Sequence, residues 1–281
     1  MYEKFYGFKD KPFNLTPDSD FFFASPKHEE ALNRLLLAIS ERNGFAVVTG
    51  EIGSGKTTVC RTLLSKLDSA TKVVLIFNTY LSKKELLTTI LEDLGIEYRS
   101  TSKTHLLSAL NKYLIKQASN DINVVLIIDE AQNLTPSVLE EVRMLSNLET
   151  EKEKLIQIIL IGQPELKKKL GSRKLEQFCQ RIVFYYHLGP LSPNETEAYI
   201  KHRLQKAGNG NGRGDIFSYA ALDKIYNFSN GIPRLINLAC HNALISGLVY
   251  ETKEISGAIV DEAVQELMYK TGLSKIYKEE D

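Results

Sequence analysis

Short runs of β-branched and aliphatic residues alternate along the chain with segments whose apolar positions recur every three or four residues. The runs at 45–49, 72–77, 123–128, 155–161 and 181–187 read as strands, and 55–67, 82–94, 102–118, 135–148 and 164–179 carry the helical period. Strands that are apolar on both faces have no side to give to water, so the expectation is a parallel sheet covered by helices. After Leu188-Gly189-Pro190 the strand signal stops, and 192–207, 217–229, 233–250 and 256–269 predict an all-α module. A leading helix is expected at 28–39, with Ala31, Leu32, Leu35, Leu36 and Ile39 on one face. Ahead of it, Phe5, Tyr6, Phe8, Phe13, Phe21, Phe22 and Phe23 are interrupted by Pro12, Pro17 and Pro26. That pattern argues against a regular helix, yet it is too apolar for a free tail. The expected organisation is an aromatic segment with its leading helix packed on the core (1–44), an α/β core (45–188), a helical lid (189–270) and a polar tail (271–281). The glycine-rich stretch 208–214 reads as a mobile turn, and Arg213-Gly214-Asp215 as a surface turn.

Composition narrows the class. A chain of 281 residues can bury a full core and has room for a second module. Lys plus Arg and Asp plus Glu each total 35, so no global charge draws the chain to nucleic acid. Cys60, Cys179 and Cys240 have no metal-ligand spacing and read as reduced thiols. The first residues lack the order of a signal peptide, and the apolar runs at 124–128 and 158–162 are too short to span a bilayer. A cytoplasmic setting follows, in which the Asn-x-Ser/Thr matches at Asn14, Asn194 and Asn227 carry no glycan.

The chemistry concentrates after the first strand. Gly50-Glu51-Ile52-Gly53-Ser54-Gly55-Lys56-Thr57 fits the phosphate-loop pattern G-x-x-x-x-G-K-[ST]. Backbone amides can turn inward on a phosphate only where no Cβ intervenes, hence the glycines. The helix that follows directs its positive end at the anion. Lys56 is placed to bridge β- and γ-phosphate oxygens, Thr57 to ligate Mg²⁺ and Thr58 to touch the α-phosphate.

The run Val124-Val125-Leu126-Ile127-Ile128 ends in Asp129-Glu130. At the carboxyl end of a strand both acids can face a ligand crevice. Asp129 would hold Mg²⁺ through water, and Glu130 would take a proton from the attacking water. Asn78, closing the second strand, suits a hydrogen bond to Glu130 and equally a plain turn. Gln163, closing the fourth, would orient water against the γ-phosphate. Arg181 precedes the last strand and would reach a neighbouring subunit's nucleotide, with Arg173 and Lys174 competing for that task. In Gly231-Ile232-Pro233-Arg234 an arginine stands in the first turn of a helix. It opposes the helix dipole there, so an anion is expected beside it, either bound phosphate or a carboxylate. The basic runs Lys83-Lys84 and Lys167-Lys168-Lys169 read as solvated faces.

In their order these strings resemble Walker A, Walker B, sensor 1, arginine finger and sensor 2 of AAA+ ATPases. Phe5-Tyr6-Gly7-Phe8, Pro12-Phe13-x-Leu15-Thr16-Pro17-Asp18, Gly162-Gln163-Pro164-Glu165-Leu166 and Leu188-Gly189-Pro190-Leu191 narrow the likeness. They are similar to the ATPase domain of the ExeA-like, general secretion pathway protein A family. The resemblance implies ATP and Mg²⁺ as cofactors and ATP-dependent ring or partial-ring assembly. It also implies a partner B protein at the inner face of the inner membrane, and a role in assembling the type II secretin. In longer members a membrane helix and a periplasmic peptidoglycan-binding domain follow. The same ATPase type resembles DNA-binding transposition regulators, a second reading that the neutral charge disfavours. A nucleotide-dependent scaffold, for exopolysaccharide export among others, is a third. Pro233, Ile232 and the aromatic segment are expected around the base, with the choice among them open. The absence of an Asn-Lys-x-Asp string favours adenine over guanine.

Overall fold

The computed structural model describes residues 2–16, 18–42, 44–151, 153–208 and 216–271. The stretch 209–214, the Arg213-Gly214-Asp215 string and nearly all of the polar tail lie outside them. In chain order the helices are α1 (Tyr2–Tyr6), α2 (Pro26–Ser40), α3 (Lys56–Lys66), α4 (Lys83–Asp93), α5 (Lys103–Ser119), α6 (Pro136–Leu145), α7 (Pro164–Leu170), α8 (Glu176–Cys179), α9 (Pro193–Lys206), α10 (Tyr219–Ser229), α11 (Pro233–Val249) and α12 (Gly257–Thr271). The strands are β1 (Phe45–Gly50), β2 (Thr71–Ile76), β3 (Asn123–Ile128), β4 (Gln157–Gly162) and β5 (Ile182–Leu188). By contact density the chain divides into two units, one of Glu29–Ile52 and Val59–Leu188, the other of Met1–His28, Gly53–Thr58 and Gly189–Asp281.

The first unit is the sheet unit. Its five strands run parallel in the order β2-β3-β4-β1-β5. Every residue of β1 and β4 is buried, and so is all of β3 after Asn123. Burial on both faces is why these runs show no polar alternation. The edge strands β2 and β5 are only partly covered. Leu86, Ile90, Leu106, Leu110, Leu114, Val138, Leu139 and Val142 pack the core beside Val74, Leu126, Ile128 and Leu160. Capping fixes where the helices begin. Ser82 and Glu85 form a reciprocal capping box at α4, and Thr135 accepts from Val138 N ahead of Pro136 at α6. The helix expected across 164–179 is broken. Gly171 closes α7, and the chain passes through a 3₁₀ turn, Arg173–Leu175, into α8.

The second unit is helical. Tyr6, Phe8 and Phe13 share a core with Ile200, Leu204, Ile225, Ile236, Cys240, Leu244 and Val260. Contrary to expectation, the aromatic segment opens with a short helix. Pro12 is the first proline, so Tyr2–Tyr6 is free to turn, and Gly7 at φ 81° ends it. Arg203 is buried at 6% exposure inside this unit. Its Nε donates to the Pro12 carbonyl at 2.5 Å and an Nη to the Tyr199 hydroxyl at 2.9 Å. The guanidinium carbon lies over the Phe21 ring, 4.9 Å from its centre. A planar fork stacked on rings is not reproduced by an ammonium. Arg203→Lys is therefore expected to cost about 2 kcal/mol. A fall of several degrees in thermal midpoint checks it, and an unchanged midpoint contradicts it.

Candidate functional site

The phosphate-loop pattern spans the turn from β1 into α3. Gly53 and Gly55 adopt φ values of 81° and 98°, in the left-handed region. A Cβ on Gly53 would stand 2.5 Å from the Arg234 Cβ, and one on Gly55 would stand 2.8 Å from His28 Nε2. Both glycines are thus required by backbone conformation and by close neighbours. Lys56, first residue of α3, is only 6% exposed, and Thr57 and Thr58 are half-buried. Ser54 Oγ is buried and has no hydrogen-bond partner. An orphaned hydroxyl in a loop that glycine keeps open suits a bound oxyanion.

Two residues of the helical unit close on this loop. Arg234 N donates to the Gly53 carbonyl at 3.2 Å, while its side chain is exposed at the second position of α11 behind Pro233. Among the described residues no carboxylate pairs with it. The other is His28, which sequence reading placed on a helix and assigned no task. Its Nε2 lies 3.0 Å from the Ser54 carbonyl and its Nδ1 2.7 Å from Ser25 Oγ. A carbonyl can only accept, so Nε2 carries the proton and Nδ1 accepts from the serine hydroxyl. Burial, above all, lowers the pKa of this imidazole and keeps it neutral.

The acids stand in the sheet unit, beyond the last residue of β3. Asp129 is 3% exposed, and its Oδ1 accepts from Glu130 N at 2.9 Å. Glu130 takes φ 53°, ψ 36°, ending the strand's alternation and starting the 3₁₀ turn Ala131–Asn133. Its Oε2 accepts from Gln132 Nε2 at 2.5 Å and from Gln163 Nε2 at 3.2 Å. Gln132 Oε1 in turn accepts from Gln163 N at 2.9 Å. Gly162 leaves room for this bridge, since a Cβ there would come within 2.8 Å of Gln132 Oε1. Lys169 donates to the carbonyls of Gln132 and Leu134, so this lysine supports the turn and is not simply solvated. Asn78 does not bond Glu130. Its Oδ1 accepts from Tyr80 N at 3.3 Å, a local turn, and Gln132 holds the carboxylate instead. Sequence reading missed Gln132; its place two residues past Glu130 was the available signal.

Mg²⁺ takes few protein ligands and keeps water and phosphate oxygens in its shell. Thr57 carries a hydroxyl and Asp129 a carboxylate, the donor types that such an ion takes. Among the described residues no cluster of three or more His, Cys, Asp or Glu forms a protein-only cage. Arg181 donates from Nη1 to Ser146 Oγ at 3.1 Å, just ahead of the edge strand β5, whereas Arg173 and Lys174 are exposed.

Residues 39–170 match the family described as AAA domain. Over 95% of its length the chain is 39% identical to general secretion pathway protein A of Aeromonas hydrophila. Residues 39–170 thus carry an AAA domain, and the chain is similar to general secretion pathway protein A over nearly its whole length. It spans about half, 48%, of that relative's length. Solved structures share the fold. Cdc6p of Pyrobaculum aerophilum aligns over 89% of this chain and 71% of its own, at TM-score 0.65 and 20% identity. The ORC2 protein of Aeropyrum pernix aligns over 92% and 72%, at 0.64 and 15%. The RuvB branch migration motor of Thermotoga maritima aligns over 85% and 69%, at 0.55 and 20%. No described helix of this chain is long and apolar enough to cross a membrane. Its thiols are held protonated, with burial pushing Cys60 up to about 12 and raising Cys179 and Cys240.

Proposed function

We propose that this chain binds Mg-ATP, hydrolyses it and powers assembly of an envelope complex, the type II secretin. The observation that carries the nucleotide reading is the cradle itself. Two glycines in left-handed conformation, a buried lysine at a helix start and a partnerless buried Ser54 hydroxyl meet in one four-residue stretch, Gly53–Lys56. In this reading Gly50, Glu51, Ile52, Gly53, Ser54 and Gly55 supply the loop, and Lys56 grips the phosphates. Thr58 touches the α-phosphate. Thr57 and Asp129 would hold the ion, whose chemistry is to neutralise phosphate charge. Glu130 takes the proton of the attacking water, and Gln163 orients that water. Arg234, exposed behind Pro233 and against Gly53, answers the γ-phosphate. Arg181, beside the open edge strand, serves a neighbouring subunit.

The secretion role rests on the 39% identity to general secretion pathway protein A and extends to a partner B protein at the inner membrane. Deleting the gene should leave secretin unassembled. Normal secretin multimers in the deletion strain would refute that part alone. For the arginine in trans, phosphate release per protomer should rise with protein concentration and lose that rise in Arg181→Ala. A specific activity constant across a wide dilution series contradicts assembly-dependent turnover. Retention of duplex DNA that is ATP-dependent and salt-sensitive would favour the transposition-regulator reading instead.

A further inference from the structure

We infer that His28 is a positioning residue for phosphate recognition: its Nε2–H fixes the Ser54-Gly55 peptide so that the Gly55 amide faces the nucleotide. The inference rests on the nucleotide reading above and adds to it a residue outside the phosphate-loop string. In a planar trans peptide the C=O and the following N–H point in opposite directions. The Ser54 carbonyl is held towards His28 at 3.0 Å. The Gly55 N–H is therefore aimed to the other side of the loop, away from the imidazole. Were that peptide to flip, a carbonyl oxygen would replace the amide proton there, and an oxyanion would meet repulsion.

The ring is itself tightly placed. Ser25 Oγ accepts from His28 N at 3.4 Å as a helix cap and donates to Nδ1 at 2.7 Å, which selects the tautomer with the proton on Nε2. Phe22 lies edge-on to the imidazole at 6.3 Å. The side chain is 5% exposed, so its grip on the carbonyl does not compete with water. Gly55 has no Cβ, and this lets the ring approach. The geometry thus forms a relay in which Ser25 sets the tautomer, His28 sets the Ser54 carbonyl, and that carbonyl sets the Gly55 amide.

A glutamine at position 28 can present its amide N–H near the place of Nε2, whereas leucine has similar bulk and no donor. The probes are fluorescent ADP and ATP with Mg²⁺, titrated against wild type, His28→Leu, His28→Gln and Ser25→Ala, with phosphate release measured in parallel. His28→Leu should bind both nucleotides about tenfold more weakly, while His28→Gln stays within about threefold of wild type. KM should rise in the leucine variant with kcat at saturating ATP nearly kept, because amide contacts to the β-phosphate serve ground and transition states alike. Equal affinity of folded His28→Leu and wild type would overturn the inference. So would equal losses in the leucine and glutamine variants, since packing and not the N–H would then be responsible. Should His28→Leu fail to fold, Ser25→Ala decides: a loss of about threefold supports the relay, and unchanged binding refutes it. Wild type that binds neither nucleotide defeats the nucleotide reading itself, a result distinct from any difference among variants.

Discussion

Glu130→Gln is expected to lower ATP turnover by about 10² to 10⁴-fold while leaving nucleotide affinity where it was. A general base must be ionised, and an amide of the same shape takes no proton from water. The exchange is conservative in every other respect. The backbone at this position sits at φ 53°, a conformation glutamate and glutamine tolerate alike. The carboxylate oxygen accepts from Gln132 and Gln163, and an amide oxygen still accepts from both donors. Thr79 Oγ1 donates to the Glu130 carbonyl, which the substitution does not touch. Phosphate release and titration with a fluorescent ATP analogue separate the two quantities. A variant that turns over within about twofold of wild type would remove Glu130 from its role as base. Asp129 would then become the first candidate.

The strands were legible because the sheet is parallel and buried on both faces. A run such as Val124 to Ile128 has no polar face to give to water, and the interior of such a sheet asks for none. The phosphate loop was legible because its demand is on backbone conformation, which glycine satisfies and which leaves a spaced string. Single partners are a different matter. Gln163 N meets Gln132 Oε1 across 31 positions of chain, and His28 meets Ser54 across 26. Such bonds depend on where two elements come to rest, and no local periodicity encodes that. Asn78 illustrates the converse. Its position at a strand end left a contact with Glu130 and a plain turn equally open, and the local hydrogen bond from Tyr80 N is the one formed. The continuous helix expected over 164–179 failed at Gly171 and Ser172, where the apolar spacing stretches from Leu170 to Leu175 and the backbone leaves the helix. Arg203 reads in the sequence as an ordinary charged helix residue, yet it is buried among aromatic rings, and only the tertiary structure shows its carbonyl acceptor at Pro12.

Lys56→Ala should abolish turnover and, unlike the exchange at Glu130, should also weaken ATP and ADP binding by about 100-fold or more. The reason is electrostatic. Lys56 starts α3, so its ammonium adds to a helix end that is already positive, and the two together attract a polyanion. At 6% exposure the ammonium acts where water screens it little. A triphosphate draws on both, and its charge grows on the bridging oxygen as the reaction proceeds, so the same ammonium acts in binding and in the chemical step. Thermal denaturation provides a reading independent of turnover. A ligand that binds only the folded state raises the midpoint in proportion to the logarithm of its concentration over Kd. Saturating ADP with Mg²⁺ should raise the midpoint of wild type and of Glu130→Gln alike and leave that of Lys56→Ala unmoved. A shift of wild-type size in Lys56→Ala would mean that nucleotide binds without the lysine, and the phosphate cradle would have to be sought elsewhere on the chain.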